Sequence, residues 1–282
     1  MYVKAIVLGS GYMGKNIALN INADSVAYYS RHEVPELKAR NINWIEGDIL
    51  DAEKVMAAVK DFDTIYYAAG IWKGEREKLF DAHVNGMKNV VAAVKKYDTN
   101  QRIINLSFIN VHYGKLELYR IKGIEEDNAA TIKNHLNVRM SPVYGEGDLF
   151  TQKLVDLASQ NLPNLPDGGN LAPVHILDAI KVIEASEGTM GAIDLCSTEK
   201  LRFADMINVV RNIMGKGEKS VSESGFFVKR AVSALAEKGV FDEEDIERYL
   251  MNYYRETTWL TRFVKEPHKF KDYAHEVVKL KK

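Results

Sequence analysis

The chain has 282 residues, enough for one large domain or for a large domain with a smaller appendage. Its 38 basic and 39 acidic residues give a net charge of -1, which does not favour nucleic acid or an anionic membrane as partner. A single cysteine, Cys196, excludes an intrachain disulfide, and no apolar run reaches 18 residues, so we expect a cytoplasmic protein without a membrane span.

Short apolar runs alternate with helical segments through the first half of the chain. The strand-like runs are, in chain order, YVKAIVLG, SVAYYS, INWIEGD, DTIYYAAG, RIINLS and HLNVRMS. Helical spacing of apolar residues is found in YMGKNIALNIN, AEKVMAAVKDF, EKLFDAHVNGMKNVVAAVKKY and LYRIKGIEEDNAAT. This alternation predicts an α/β fold, a Rossmann-type doubly wound parallel sheet, in a dinucleotide-binding domain over residues 1–145.

The pattern changes after residue 145. Three segments read as helices (LFTQKLVDLASQ, HILDAIKVIEAS and RFADMINVVRNIMG), GAIDLCS reads as a strand, and residues from about 218 onward read as three helices. We expect a smaller, mostly helical part over 146–282, on the substrate side, with residues about 172–198 returning to the sheet domain. The aromatic stripe in RYLMNYYRETTWLTRF favours helix packing, with a homodimer face or a lid as alternatives.

A glycine pattern follows the first predicted strand. Gly9, Gly11 and Gly14 form G-x-G-x-x-G directly before a helix. The first glycine permits a tight turn, the second lets the backbone approach a pyrophosphate, and the third lets the helix pack closely on the strand. Unpaired N–H groups at the helix N-terminus then favour an anion. The predicted phosphate-binding residues are Gly9, Ser10, Gly11, Tyr12, Met13 and Gly14.

The end of the second strand bears on the choice of nucleotide. An acidic residue at this place binds the ribose 2′-hydroxyl of NAD, but here the strand ends in Ser30 and Arg31, and the first carboxylate is Glu33. A guanidinium at this position suits a 2′-phosphate. The sequence therefore favours NADP as cofactor, with NAD as the alternative; an arginine on a solvated loop is the alternative without a ligand.

Several further blocks, taken in order, resemble a known family over about residues 1–215: EGDILD, TIYYAAG, HVNGMKNVVAA, VRMSPVYGEGD and VHILDAIKVI. The chain resembles an extended or atypical short-chain dehydrogenase/reductase, in the NAD-dependent epimerase/dehydratase group and its NmrA-like relatives. The resemblance implies further cofactor contacts from Asp48, Ile49, Ala68, Ala69, Gly70, Asn85, Lys122 and Pro142.

The resemblance implies catalysis by a Ser or Thr, a Tyr and a Lys four residues after the Tyr. Here Tyr119 and Lys122 are only three apart, and if Lys122 is the family lysine, Leu118 takes the tyrosine's place. Ser107 is the candidate serine, although it lies a residue or two early. Three interpretations stay open: a shifted Tyr119–Lys122 pair, Lys122 acting without a tyrosine, or packing residues in a cofactor-binding protein without catalysis.

Two functions therefore follow as hypotheses. The first is an NADP-dependent oxidoreductase or sugar-nucleotide epimerase-like enzyme with a non-standard active site, which acts on a small molecule, with a sugar nucleotide as one candidate. The second is a non-catalytic NADP(H)-binding redox sensor or assembly subunit of the same fold. No motif with metal-ligand spacing is found, so we predict no metal site.

Overall fold

The computed structural model describes residues 3–97, 100–114 and 116–281. In that part of the chain the strands are β1 (Lys4–Leu8), β2 (Ser25–Ser30), β3 (Asn43–Glu46), β4 (Thr64–Tyr67), β5 (Arg102–Phe108), β6 (His135–Met140), β7 (Val143–Tyr144), β8 (Leu165–Pro166), β9 (Val174–His175), β10 (Gly191–Leu195) and β11 (Val221–Ser222). The helices are α1 (Tyr12–Asn20), α2 (Pro35–Ala39), α3 (Ala52–Val59), α4 (Arg76–Phe80), α5 (Gly86–Tyr97), α6 (Glu117–Ala129), α7 (Leu149–Ser159), α8 (Ile176–Ala185), α9 (Phe203–Ile213), α10 (Gly225–Ala236), α11 (Glu243–Tyr249), α12 (Trp259–Phe263) and α13 (Phe270–Leu280). A π-helical turn, Asp81–Asn85, joins α4 to α5.

Seven strands form the central sheet, in the order β10-β6-β5-β4-β1-β2-β3. The strand pairs β1–β2, β2–β3, β1–β4, β4–β5 and β5–β6 are all parallel. This topology confirms the predicted Rossmann-type doubly wound α/β fold. The order reverses between β1 and β4, and ligands of such sheets bind beside the carboxyl ends of the strands at that point.

The central strand β1 is buried along residues 5–8, as expected for a parallel strand covered by helices on both faces. Ile6 and Leu8 belong to one apolar cluster with Val55 of α3 and Val90 of α5. Burial of these side chains fixes the end of β1, and therefore the position of the glycine-rich turn that follows it.

The chain divides into two compact units. The first comprises Met1–Met140 and Ile180–Asp194, and the second comprises Ser141–Ala179 and Leu195–Lys282. The second unit is mostly helical and includes two pairs of two-residue strands, β7–β9 and β8–β11. Within it, the Tyr249 ring stacks on Phe203 at 5.4 Å and lies 4.5 Å from the Phe150 ring, so this member of the aromatic stripe packs inside the unit.

Three elements differ from the sequence prediction. Helix α2 begins at Pro35, in the first helical position that proline favours, but it is too short to show a period. The single long helix predicted from EKLFDAHVNGMKNVVAAVKKY contains the π-helical turn between α4 and α5. After residue 218 the structure has α10 to α13 rather than three helices.

The fourth helix arises because the chain between α11 and α12 is not helical. The Leu250 carbonyl accepts a hydrogen bond from the Gly169 N–H at 2.7 Å, and the Tyr253 N–H donates to the Asn170 carbonyl at 2.8 Å. Pairing with this distant loop replaces the helical hydrogen bonds, an override of local propensity by tertiary structure. Across residues 3–97, 100–114 and 116–281, no helix has the length and apolar character that crossing a bilayer demands.

Candidate cofactor and active site

A pocket of about 500 Å³ lies in the first unit, at the carboxyl ends of β1 to β4. Its lining comes from residues 9–11, 29–32, 47–50, 68–71, 78 and 81–82. The pocket therefore lies where the strand order reverses, the position that the fold predicts for a dinucleotide.

The three glycines of the first loop have different geometries. Gly9 has φ +101°, and a Cβ added there would lie 2.7 Å from the Ala69 nitrogen. A Cβ on Gly14 would lie 2.0 Å from the Gly9 carbonyl oxygen, whereas a Cβ on Gly11 would meet nothing within 4 Å. Gly9 and Gly14 are thus required for close packing, and Gly11 leaves open space at the start of α1, as a phosphate cradle needs.

The other predicted residues of this loop lie beside that space. Ser10 lines the pocket, and Tyr12 and Met13 form the first turn of α1. Gly11 is the N-cap of α1, and no side-chain hydrogen bond caps this end of the helix. A helix N-terminus without a side-chain cap is suited to an anion.

The end of β2 brings basic side chains to the pocket. Arg31 and His32 both line it, and the exposed Arg31 makes no ion pair with any described residue. The buried Ser30 hydroxyl donates to the His32 carbonyl at 2.7 Å, which fixes the turn. Glu33, the first carboxylate after the strand, accepts a hydrogen bond from Lys38 at 2.8 Å, and this bond raises the pKa of Lys38.

Asp48 and Ile49 are held at the end of β3 by backbone contacts. The Asp48 carboxylate accepts a hydrogen bond from the Leu50 N–H at 3.0 Å, and the Asp48 carbonyl accepts one from the Tyr29 hydroxyl at 2.8 Å. Burial raises the pKa of Tyr29 to about 12, with Asp51 and Asp48 adding to the effect, so the hydroxyl stays a donor at neutral pH. The Ile49 carbonyl accepts from Asn89 at 2.9 Å.

Residues after β4 line the opposite side of the pocket. Ala68, Ala69 and Gly70 follow that strand, and a Cβ on Gly70 would lie 2.4 Å from the His83 Cε1 atom. Asn85 lies in the π-helical turn and donates to the pocket-lining Asp81 at 2.7 Å. Pro142, the remaining predicted cofactor residue, lies in the second unit, where its carbonyl accepts from the Val174 N–H at 3.0 Å.

Lys122 lies in a buried chain of polar side chains. Its ammonium donates to Glu125 Oε1, and Glu125 Oε2 lies 2.7 Å from His83 Nδ1. His83 Nε2 lies 3.1 Å from the Ile71 carbonyl oxygen, and Ile71 lines the pocket. The exposed fractions of the three side chains are 4%, 0% and 4%, so the chain is shielded from solvent.

Tyr119 and Leu118 are both buried on α6. The Tyr119 ring lies edge-on to Phe108 at 5.9 Å and against Gly114, where an added Cβ would lie 2.4 Å from it. Leu118 packs in an apolar cluster with Leu79, Val84 and Ile121. If Lys122 is the family lysine, the residue in the place of the family tyrosine is therefore a packing residue.

Ser107 lies near the end of β5, paired in register with Arg139 of β6. Its Oγ is buried and has no hydrogen-bond partner among the described residues. A buried hydroxyl without a partner is costly and is the kind of group that a ligand can satisfy. The open space at Gly11 fits the nucleotide phosphates that the sequence predicts there.

A second ionic cluster includes Glu126 of α6. Arg139 forms a forked pair with the buried Glu126, with Nε–Oε1 at 3.1 Å and Nη2–Oε2 at 2.7 Å, and these bonds raise the pKa of Arg139. Arg139 Nη2 also lies 2.7 Å from His112 Nε2. Because a guanidinium only donates, His112 Nε2 accepts, and its ring carries a proton on Nδ1.

This ion pair gives a stability prediction. Arg139→Ala should lower the free energy of unfolding by about 3 kcal/mol, since it removes the guanidinium that pairs with the buried Glu126 carboxylate. Arg76→Ala is the matched control: Arg76 bonds the partly exposed Glu117 at 2.6 Å and is itself exposed, so at most about 1 kcal/mol should be lost. Urea unfolding of both variants measures the difference, and equal losses would contradict the assignment.

Sequence reasoning missed Glu125 and His83. Glu125 stands three residues after Lys122, a spacing at which helical side chains meet, but acidic residues are common on exposed helix faces. The π-helical turn brings His83 close to Glu125, and the apolar periodicity of the sequence does not indicate this turn. Among the described residues, no three His, Cys, Asp or Glu side chains form a group that could hold a metal ion.

The comparisons with known proteins agree with this geometry. A family model described as NAD(P)H-binding matches residues 9–134. The 2-alkyl-3-oxoalkanoate reductase of Shewanella oneidensis is 30% identical over 252 residues, which cover 73% of this chain but only 65% of that reductase.

Two solved structures show the same fold at low sequence identity. Triphenylmethane reductase of Citrobacter sp. has a TM-score of 0.77 at 14% identity, covering 98% of this chain and 99% of its own. The dTDP-4-dehydrorhamnose reductase of Bacillus anthracis, in complex with NADP, has a TM-score of 0.70 at 14% identity, covering 99% and 100%. The chain is therefore an NAD(P)-binding protein with the fold of the extended short-chain dehydrogenases/reductases.

Proposed function

We propose that the protein is an NADPH-dependent reductase of a carbonyl group in a small molecule. The observation that carries the choice of nucleotide is the pocket edge after β2. Arg31 and His32 line it, and Glu33, the nearest carboxylate after the strand, is held by Lys38. A free guanidinium next to an open pocket suits a 2′-phosphate, which it can bind through two parallel hydrogen bonds.

The relative with 30% identity supports reduction over epimerisation. The name of that relative describes the reduction of a 3-oxo group in a 2-alkyl-3-oxoalkanoate. We therefore propose a ketone as the substrate class and 2-alkyl-3-oxo acids as the first compounds to assay. The sugar-nucleotide epimerase-like reaction is the less favoured candidate.

When bound, NADPH would supply the hydride that reduces the carbonyl carbon. The residues of this chain would bind the nucleotide and supply the proton. Gly11 and the first turn of α1 would hold the phosphates, and Arg31 would hold the 2′-phosphate. The Ser107 hydroxyl, which has no hydrogen-bond partner among the described residues, would donate to the substrate oxygen. The Lys122 ammonium would protonate that oxygen.

Replacement of Arg31 tests the nucleotide assignment. Arg31→Ala should raise the Kd for NADPH about 10- to 100-fold, the equivalent of one charged hydrogen-bonding contact, and leave the Kd for NADH unchanged. Titration of the nucleotide's fluorescence measures both constants. Arg40→Ala is the matched control, because Arg40 is also exposed but follows α2 outside the pocket lining.

Two results would overturn the NADPH assignment. The first is tighter binding of NADH than NADPH by the unmodified protein. The second is an equal loss of affinity for both nucleotides in the Arg31 variant, which would show a contact that does not depend on the 2′-phosphate.

A second candidate function is a non-catalytic NADPH-binding sensor or assembly subunit. The observation that favours it is Leu118, whose side chain packs against Leu79, Val84 and Ile121 at the place of the family tyrosine. The two functions differ in turnover. NADPH binding with no NADPH oxidation across a panel of ketones and 3-oxo acids would support the sensor, and substrate-dependent oxidation would exclude it.

A further inference from the structure

The contacts within the buried chain Lys122–Glu125–His83 indicate which of its atoms carry hydrogens. The Ile71 carbonyl oxygen can only accept, so His83 Nε2, 3.1 Å away, carries a hydrogen. A neutral imidazole with its hydrogen on Nε2 has a lone pair on Nδ1, and an ionised carboxylate has only lone pairs. Two lone pairs facing each other at the observed 2.7 Å between Nδ1 and Glu125 Oε2 would repel.

With hydrogen bonds at both ring nitrogens of His83, a proton lies between Glu125 and His83, either on the imidazole or on the carboxyl group. The other carboxyl oxygen of Glu125 already accepts from the Lys122 ammonium. In both arrangements the three side chains together carry one positive charge. Because all three are buried, this charge favours an anion next to it, and the alkoxide formed by carbonyl reduction is such an anion.

We infer that Glu125 and His83 hold a transferable proton that recharges Lys122 after it protonates the substrate. Lys122 would act on the substrate, while Glu125 and His83 are positioning residues that act through it. The inference rests on the proposed reductase function for its chemistry, but the extra proton is a property of the free protein.

The proton balance of the step is simple. The N–H bond of the Lys122 ammonium breaks and an O–H bond forms on the alkoxide, which leaves a neutral amine. The proton between His83 and Glu125 then moves through the carboxylate to the amine. The cluster ends with a charged lysine, an ionised Glu125 and a neutral His83, and one proton from solvent restores the starting state.

Glu125 faces titratable groups from three elements: Lys122 on its own helix, His83 in the π-helical turn and Tyr67 of β4. Burial raises the pKa of Tyr67 well above its usual value, and the charge of Glu125 adds to the shift, so Tyr67 stays neutral. The Lys122 ammonium also lies over the Phe108 ring, 5.8 Å from its centre.

The first test reads the proton directly. In the histidine-15N-labelled protein without nucleotide, the His83 signals are assigned by their loss in His83→Gln. We expect a hydrogen on Nε2 and, on Nδ1, either a second hydrogen or a strong hydrogen bond accepted from Glu125. A neutral ring with its hydrogen on Nδ1 and none on Nε2 would overturn the inference, whatever the protein's activity.

The second test measures how this proton affects kcat and its pH dependence. His83→Gln should lower kcat about tenfold or more, and the loss should grow as the pH rises, because the amine is no longer recharged from a store. His275→Gln, on an exposed face of α13, is the matched control and should behave as the unmodified protein. An unchanged pH profile of kcat in a folded His83→Gln protein would contradict the proposal that Glu125 and His83 hold a transferable proton.

Glu125→Gln provides a second variant if the first does not fold. Its amide should leave His83 neutral with the hydrogen on Nε2, and it should reproduce the pH-dependent loss in kcat. The two proposals fail separately. If the protein never oxidises NADPH but shows the expected His83 signals, the reductase function is contradicted and the proton store is supported. If it oxidises NADPH but lacks those signals, the proton store is contradicted and the reductase function is supported.

Discussion

Lys122→Met should lower kcat for carbonyl reduction about 100-fold or more, since a positioned proton donor contributes roughly 10²- to 10⁴-fold. Among the described residues of α6, Lys122 is the only buried cationic side chain, and it pairs with Glu125. Methionine fills its place without the charge. The fall in kcat should exceed any rise in KM, because the proton is needed in the transition state. Steady-state assays with NADPH and a ketone measure both constants.

The controls for this prediction separate the three interpretations of the segment. Lys95→Met removes an exposed lysine of α5 and should leave kcat unchanged. Tyr119→Phe removes only a hydroxyl from a ring packed on Phe108. If Lys122 acts without a tyrosine, Tyr119→Phe keeps most of the activity. A loss of similar size in both variants would indicate the shifted pair, and activity that survives in Lys122→Met would contradict the proposed role of the lysine.

Much of the fold can be predicted from local sequence signals. The apolar runs of β1 and β4 and the glycines beside them are short-range signals, so the sheet, its reversal point and the phosphate loop could be predicted from them. The end of α11 could not be, because Leu250 and Tyr253 bond to a loop about 80 residues earlier. Periodicity contains no information about such a partner.

The candidate site shows the same difference between residues that local signals identify and residues that long-range contacts bring together. Arg31 was predicted because it stands at the end of the second strand, where the residue that reads the ribose is expected. The contact of His83 with Glu125 depends on a π-helical turn and on the packing of two helices, and both are tertiary properties. The sequence therefore identified Lys122 as a candidate but not Glu125 and His83, which form the buried polar chain with it.

Gly14→Ala should destabilise the protein by about 2 kcal/mol or more, although alanine is normally the better helix former. The gain in helix propensity is about 1 kcal/mol. Against it, the new Cβ would lie 2.0 Å from the Gly9 carbonyl oxygen, which is backbone and cannot rotate away. Overpacking costs about 1–3 kcal/mol or more, and this contact is among the closest that such a substitution creates, so the clash should outweigh the propensity. Urea unfolding followed by circular dichroism measures the loss.

Gly11→Ala is the matched control, since it adds the same methyl group to the same loop. Its Cβ meets nothing within 4 Å, and its φ of -66° suits alanine, so stability should fall by at most about 1 kcal/mol for the changed N-cap. The methyl group would, however, occupy the space that the phosphates need, and the Kd for NADPH should rise at least about tenfold, or 1.4 kcal/mol. Normal NADPH affinity in Gly11→Ala would place the nucleotide elsewhere. Unchanged stability in Gly14→Ala would show that α1 can move away from β1, and the close approach of helix and strand would then not be what fixes the phosphate loop.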